Sequence, residues 1–443
     1  MKSRHVPLFF LAAFAAGTAI ADDVHALVAR KLDAEYDSLR AFYVDLHEHP
    51  ELSLMEERTS AKVAGELRAA GFEVTTGVGG HGVVAVLRNG PGPTVLFRSD
   101  MDALPVAEET GLPYASKVVT PDPSGREVPV MHACGHDIHM TSLVGSARVL
   151  AALREHWSGT LVLIGQPAEE RSLGARRMLA DGLFTRFPRP DFVVALHDSA
   201  TLPAGTIGMV EGNIMANVDW VDITVRGVGG HGAYPHATKD PVVLSARIIL
   251  ALQTIVSRET PATEPCVVTV GSIHGGTKAN IIPDEVKLQL TLRSYSDSVR
   301  AHTIEAIRRI CRGEAISAGL PDDRLPVVTV IDGEATPATY NTPELTRRLR
   351  SAITAWMGPD RVVTTQAEMG GEDFSFFGRT AEHIPLCLFR VGAVDPAKIA
   401  ESERTGVPLP PLHSSRFAPV PEPTIKAAVT ATVATVVDLL PLR

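Results

Sequence analysis

The chain has 443 residues, too many for one ordinary hydrophobic core, so at least two domains are expected. Its 45% hydrophobic and 21% charged residues are the composition of a globular protein and exclude a disordered or fibrous one. A net charge of -9 leaves no basic surplus for phosphates, which argues against nucleic acid or an anionic membrane surface as a partner.

At the N-terminus, Lys2 and Arg4 precede an apolar run from Leu8 to Ala16, and Ala19-Ile20-Ala21 offers small residues at the positions a signal peptidase reads. The pattern predicts a leader over 1–21, cleaved after Ala21, and a mature chain in the periplasm or outside the cell. The run is shorter than the ~20 residues of a spanning helix, and no later stretch reads as a span. Helical periodicity follows over Ala34–Leu46 and Glu56–Ala70, with Gly71 as the stop. Val83–Leu87, Thr94–Phe97, Leu161–Ile164 and Phe192–Leu196 are short apolar runs bounded by turn residues and read as buried strands, with a helix over Thr141–Leu153. This alternation implies an α/β fold on a mixed, largely parallel sheet.

From Asp219 to Arg226 apolar and polar residues alternate, as in a half-exposed strand. A helix over Pro241–Ser257, strands at Val267–Ile273 and Val286–Arg293, a helix over Val299–Ala318 and a strand at Pro326–Ile331 complete a β-α-β-β-α-β order, that of a ferredoxin-like sandwich. The expected organisation is therefore a larger domain from 22–213 and 333–443, interrupted by an inserted unit at 214–332. The resumed domain carries a helix over Pro343–Trp356, a strand near Ile384–Val391, a Pro-rich surface loop at Glu401–Pro411 and a closing helix over Glu422–Leu440.

The densest chemistry lies in Met131-His132-Ala133-Cys134-Gly135-His136-Asp137-Ile138-His139. Thiol and imidazole ligands suit borderline divalent metals, and Cys134 and His136, two apart in an extended loop, can face one ion. With only Cys266, Cys311 and Cys387 besides, far apart, Cys134 is expected to meet metal rather than sulfur. Gln166-Pro167-Ala168-Glu169-Glu170 follows a strand directly, where catalytic groups of open α/β sheets gather. Two adjacent carboxylates can divide the work, one ligating and the other acting as a base. His197 ends a strand in the same way, and His413 lies in a loop before the last helix. Asp100, after the strand Thr94–Phe97, can orient a ligating histidine. Glu372 and Asp373 form an acidic turn that either supports the site or caps a helix. In the inserted unit, His231 and Asn280 lie in glycine- and proline-punctuated turns and can donate hydrogen bonds to an oxyanion or carboxylate.

Arg98-Ser99-Asp100-Met101-Asp102-Ala103-Leu104-Pro105, His132-x-Cys134-Gly135-His136-Asp137, Gln166-Pro167-Ala168-Glu169-Glu170, Gly229-Gly230-His231 with Pro235-His236, and Asn280-x-Ile282-Pro283 occur in the order found in the M20 metallopeptidase superfamily. The chain resembles its amidohydrolase branch, which holds N-acyl-amino-acid amidohydrolases, hippurate hydrolases and auxin-conjugate hydrolases, from about Leu39 to the last helix. The resemblance implies two divalent ions, Mn or Zn, bridged by Cys134. His136 and His197 complete one shell, and Glu170 and His413 the other. It further implies Glu169 as general base, Asp100 as orienting acid, His231 polarising the substrate carbonyl across a homodimer interface, and Asn280 on the substrate carboxylate. Arg98 stands where other branches have a ligating histidine. Ile138 and Asp198 depart from the branch's usual residues, which touches pocket shape more than chemistry. A small-peptide carboxypeptidase or dipeptidase would use the same groups, and a non-catalytic periplasmic metal- or ligand-binding protein would need the ligands but not Glu169.

Overall fold

The computed structural model describes residues 10–442 apart from Asp332 and Glu334, with side chains from Val24 onward. The expected leader falls partly outside this range: residues 1–9 are not described, and for 10–23 only a helical backbone is, continuous with the helix Phe10–Glu48 (α1).

The larger sheet has eight strands: β1 (Glu73–Val78), β2 (Gly82–Asn89), β3 (Thr94–Asp100), β4 (Gly159–Gln166), β5 (Phe192–Pro203), β6 (Ile207–Met209), β11 (Val362–Thr364) and β12 (Leu386–Val394). Their order is β1-β2-β4-β3-β5-β12-β6-β11. The central strands β4, β3, β5 and β12 run parallel, while β1, β2 and β6 join by antiparallel pairing. The central strands are buried on both faces, which explains their near-continuous apolar runs. The helices α2 (Glu57–Ala69), α3 (His136–Ala152), α6 (Pro343–Met357) and α8 (Pro421–Leu439) cover this sheet with α1. Leu39, Val144, Phe97 and Val429 belong to one core cluster between helices and sheet. Gly145 makes the crossing of α1, α3 and α8 possible, because a Cβ there would meet Val429 Cγ2 at 2.8 Å and Leu39 Cδ1 at 3.2 Å.

A second, four-stranded sheet is built from β7 (Asn217–Arg226), β8 (Cys266–Gly275), β9 (Glu285–Ser294) and β10 (Val327–Val330), in the order β8-β9-β7-β10 and antiparallel throughout. α4 (Pro241–Thr254) and α5 (Asp297–Ser317) pack on one face, around a separate core that includes Ile223, Ile248, Leu288 and Ile307. The β-α-β-β-α-β order expected from the alternation is the order seen.

Three expectations change. α3 begins at His136 rather than five residues later, so the histidine cluster is a helix start and not an extended loop. The first half of the expected Pro-rich loop is a helix, α7 (Pro396–Thr405). Asp395 caps it by accepting the Ala397 N–H at 2.8 Å, and Gly406 ends it at φ 72°. One helical stretch, Pro241–Glu259, does have the length and mean hydropathy, 1.4, to cross a membrane. Leu244, Ile248 and Leu252 fill the second core, while Val243 and Leu250 point outward.

Candidate metal centre

The site forms where the parallel sheet opens. β3 pairs with β4 as far as Asp100↔Gln166, but with β5 only to Arg98↔Ala195. β5 continues along β12 through His197↔Arg390. His197 therefore sits not at a strand end but just beyond the point where β5 loses β3, in a crevice at the carboxyl ends of the strands.

Local backbone geometry places the remaining groups. Gly135 caps α3 at φ 72°, and a Cβ there would come within 2.1 Å of Asp198 Oδ2, so only glycine fits between Cys134 and His136. Ala168, before the glutamate pair, has φ 51°, and His413 has φ 65°. Both conformations are disfavoured for residues bearing a Cβ and must be held by surroundings. Glu56 accepts the Ala168 N–H at 2.8 Å. Asp102 accepts the N–H groups of Glu169 and Glu170 at 3.1 and 3.0 Å. The His413 N–H donates to Ala133 O at 2.8 Å.

These elements bring the predicted donors together. Cys134 Sγ lies 3.5 Å from His197 Nε2 and 3.3 Å from His413 Nε2. Glu170 lies 3.9 Å from His136 Nε2 and 3.5 Å from His413 Nε2. The trios Cys134/His136/His197 and Cys134/Glu170/His413 each present donor atoms within 4.8 Å of one another. His136 Nδ1 and His197 Nδ1 each meet a backbone carbonyl at 2.8 Å, that of Asp102 and of Asp198. A carbonyl only accepts, so both rings carry a proton on Nδ1 and turn Nε2 to the crevice. His136 Nε2 and Glu170 Oε1 are buried without a hydrogen-bond partner. Orphaned donors of mixed sulfur, nitrogen and oxygen type are what two divalent cations would satisfy, and the residues fit them.

Burial, then neighbouring Glu170 and Asp198, pushes the Cys134 thiol well above its ordinary value. Burial likewise raises Glu170 to about 8. At His136 burial opposes the charge, but Asp100, Asp102 and Glu170 outweigh it and raise the imidazole to about 10. Burial holds His197 below its ordinary value, aided by the charges of His139 and Arg390. Glu169, 8% exposed, is raised strongly by burial and by Glu372 and Glu170.

Behind the donors lies a buried ionic network. Arg98, wholly buried, donates to Asp100 at 2.6 Å, Gln166 at 3.0 Å, Glu372 at 2.8 Å and Asp373 at 3.2 Å. The acidic turn thus does both things expected of it, since Glu372 also caps its own turn by accepting the Phe374 N–H at 3.0 Å. Asp100 touches His136 only at 3.6 Å; its short contact, 2.6 Å, is to His139 Nδ1. His139 in turn accepts the Asp198 N–H at 2.8 Å. His139 and Asp198 are functional neighbours that the motif displayed without assigning. His132, by contrast, is buried with no partner on either ring nitrogen, and burial lowers it to about 4.

The donors open into a cavity of about 520 Å³ that also involves Trp220 and Arg293 of the second sheet, and Arg390 of β12. His231 and Asn280 do not line it. They are exposed neighbours, where the two-residue strand Gly230–His231 pairs with Ile281–Ile282 and Gly232 N–H donates to Asn280 O at 2.9 Å.

Residues 96–407 match the family model described as peptidase family M20/M25/M40. The chain belongs to this family. The M20 chain is 38% identical over 376 residues to thermostable carboxypeptidase 1 of Saccharolobus solfataricus, covering 84% of this chain and 88% of that one. It is 36% identical to the hippurate hydrolase of Campylobacter jejuni, over 78% and 85% of the two chains. Among solved structures it resembles a dinuclear metal-binding peptidase of the M20 family from Bacillus subtilis, with 29% identity, a TM-score of 0.74 and coverage of 92% and 99%. It is accordingly a hydrolase acting on amide bonds.

Proposed function

We propose that this M20 hydrolase cleaves the amide bond of N-acyl amino acids or related small amides, using two divalent ions, Mn or Zn. The observation that carries the reading is the pair of donor trios sharing Cys134, with the buried Glu169 carboxyl beside them and outside both. When bound, the ions supply a water of lowered pKa and polarise the scissile carbonyl. Glu169, held by its N–H on Asp102, takes the proton of the attacking water and hands it to the leaving nitrogen. Burial, Glu372 and Glu170 raise its pKa, which makes it a stronger base toward that water.

The oxyanion needs a donor from the side facing the second sheet. His231 fits that role chemically but does not line the cavity of its own chain. We assign it to the cavity of a second copy in a homodimer, with Asn280 holding the substrate carboxylate. Two features support a contact through the second sheet: β8 pairs on one side only, and Val243, Leu250 and Val256 are exposed on the helical stretch after β7. Complementation tests this directly. Glu169→Gln and His231→Ala should each be nearly inactive, while mixed dimers regain one working site. Failure of the refolded mixture to recover activity would place His231 in its own chain or outside catalysis.

The carboxypeptidase relative favours a second reading, cleavage beside the C-terminal residue of small peptides. Rates on N-acetyl, N-benzoyl and dipeptide substrates separate the two. We also place the mature enzyme outside the cytoplasm after loss of residues 1–21, which N-terminal sequencing of the exported chain checks.

A further inference from the structure

Arg390 is buried on β12, 2% exposed, in register with His197 and on the same cavity. Its Nη2 donates to Glu368 Oε2 at 2.8 Å, but its buried Nη1 has no partner. The pairing is lopsided, because the Glu368 side chain is 49% exposed while that of Arg390 is 3% exposed. A buried guanidinium ordinarily satisfies its fork with a carboxylate on both arms. Here one arm is spare, and the acid on the other can move into water. Arg98, in the same crevice, shows the contrast, with acids or an amide on its Nε, Nη1 and Nη2. Across the cavity, Arg293 lies over Trp220 at 6.0 Å and forms no ion pair among the described residues.

Resting on the amidohydrolase reading, in which Asn280 of a second copy holds the α-carboxylate, we infer that Arg390 is a specificity residue receiving a second carboxylate of the substrate. The preferred substrates are thus dicarboxylic amides, acidic either in the amino-acid side chain or at the far end of the acyl group. A bound carboxylate occupies Nη1 and, as Glu368 swings outward, Nη2, completing a fork that the folded chain leaves half made. A neutral group of the same shape leaves Nη1 buried and unpaired, which is how a site rejects the wrong isostere.

The test compares isosteric pairs on the metal-replete enzyme. N-Acetyl-glutamate against N-acetyl-glutamine probes the side-chain source, and N-succinyl-alanine against N-succinamoyl-alanine the acyl source. In at least one pair the charged member should lead in kcat/KM by roughly tenfold to a hundredfold, mostly through KM. Arg390→Met should collapse that ratio, Arg390→Lys should keep part of it, and Glu368→Gln, at the half-exposed partner, should widen it. A wild-type ratio near unity in both pairs overturns the inference. So does a variant Arg390→Met that loses activity equally on both members, the signature of a merely structural ion pair. Calorimetric binding of glutamate against glutamine, and of succinate against succinamate, reads the subsite without turnover. A charged preference in binding with no hydrolysis of any amide sinks the amidohydrolase reading and keeps the subsite; hydrolysis without the preference does the reverse.

Discussion

The crevice of the large sheet and the exposed segment beside the small one carry the two halves of the proposed chemistry, and they are built in opposite ways. In the crevice every predicted donor is packed by elements distant in sequence: Gly135 against Asp198, Asp102 under the glutamate pair, Ala133 under His413. Beside the small sheet His231 and Asn280 are exposed, on a two-residue strand pairing and the turn before it, with His231, beyond that pairing, bonded only to the nearby Ala233 and Tyr234 N–H groups among the described hydrogen bonds. The contrast teaches that one chain suffices to gather the proposed cation ligands and base, whereas the proposed carbonyl-polarising group needs a setting from something that covers that segment. The largest effect should therefore follow from the crevice residue that does chemistry without ligating. Glu169→Gln should lower kcat by roughly 10²- to 10⁴-fold with an unchanged metal-to-protein ratio. Near-full activity in a metal-replete mutant removes Glu169 as the base.

Next in size is the support beneath the donors. Arg98 pairs with Asp100, Glu372 and Asp373, all buried. Burial opposes ionisation of Asp100, but Arg98, His136 and His139 overcome it and hold that carboxyl well below its ordinary range. Arg98→Met should cost about 3–5 kcal/mol in denaturant unfolding, the scale of stranding a buried charge. A loss under about 1 kcal/mol would mean the network is not holding the crevice together.

Cation binding should be steeply pH-dependent. Glu170, raised to about 8, and His136, raised to about 10, bind protons that a cation must displace, as does the raised Cys134 thiol. Affinity should rise with pH through about 8 and about 10, and go on rising while the thiol still holds its proton. Stability of the chelator-treated enzyme should move the other way. Folded Glu170 binds its proton more tightly than an unfolded glutamate, so its contribution is present below about 4.5 and is lost as pH climbs through about 8. Calorimetry in buffers of different ionisation enthalpy counts the released protons. Proton-neutral binding at pH 7, or unaltered metal content in Cys134→Ala, breaks the assignment of these donors.

How much of this was visible beforehand differs between the same two regions. Glu169, Glu170 and His197 stood out because apolar runs rich in β-branched residues lead directly into them, Cys134 and His136 by the density of thiol and imidazole in one stretch, and His413 only through the resemblance to the M20 superfamily. The β-α-β-β-α-β order was readable because its strands alternate cleanly. Other features depend on pairing that no local window contains. β5 runs on through His197 because β12 accompanies it after β3 stops. α3 starts at His136 because an αL glycine wedged against Asp198 turns the chain there. Arg390 and Glu368 stand 22 residues apart and look ordinary singly. α7 hid behind the prolines that follow it, although its Asp395 cap and Gly406 stop were on display.

The smallest expected effect sharpens the contrast from the other side. Asp240 caps α4 by accepting the N–H groups of Val242 and Val243 at 2.8 and 3.4 Å. Asp240→Ala should cost about 1 kcal/mol of stability, the usual worth of an N-cap. The second sheet and its helices pack around a core separate from the crevice, so this loss should leave metal content and its pH profile untouched. If α4 lies at the dimer contact, the same substitution should weaken self-association, and with it turnover at low enzyme concentration. Light scattering and rate against dilution read those two together. A shift in metal affinity instead would mean that the two regions share their stability, and that the crevice is not prearranged by its own elements alone.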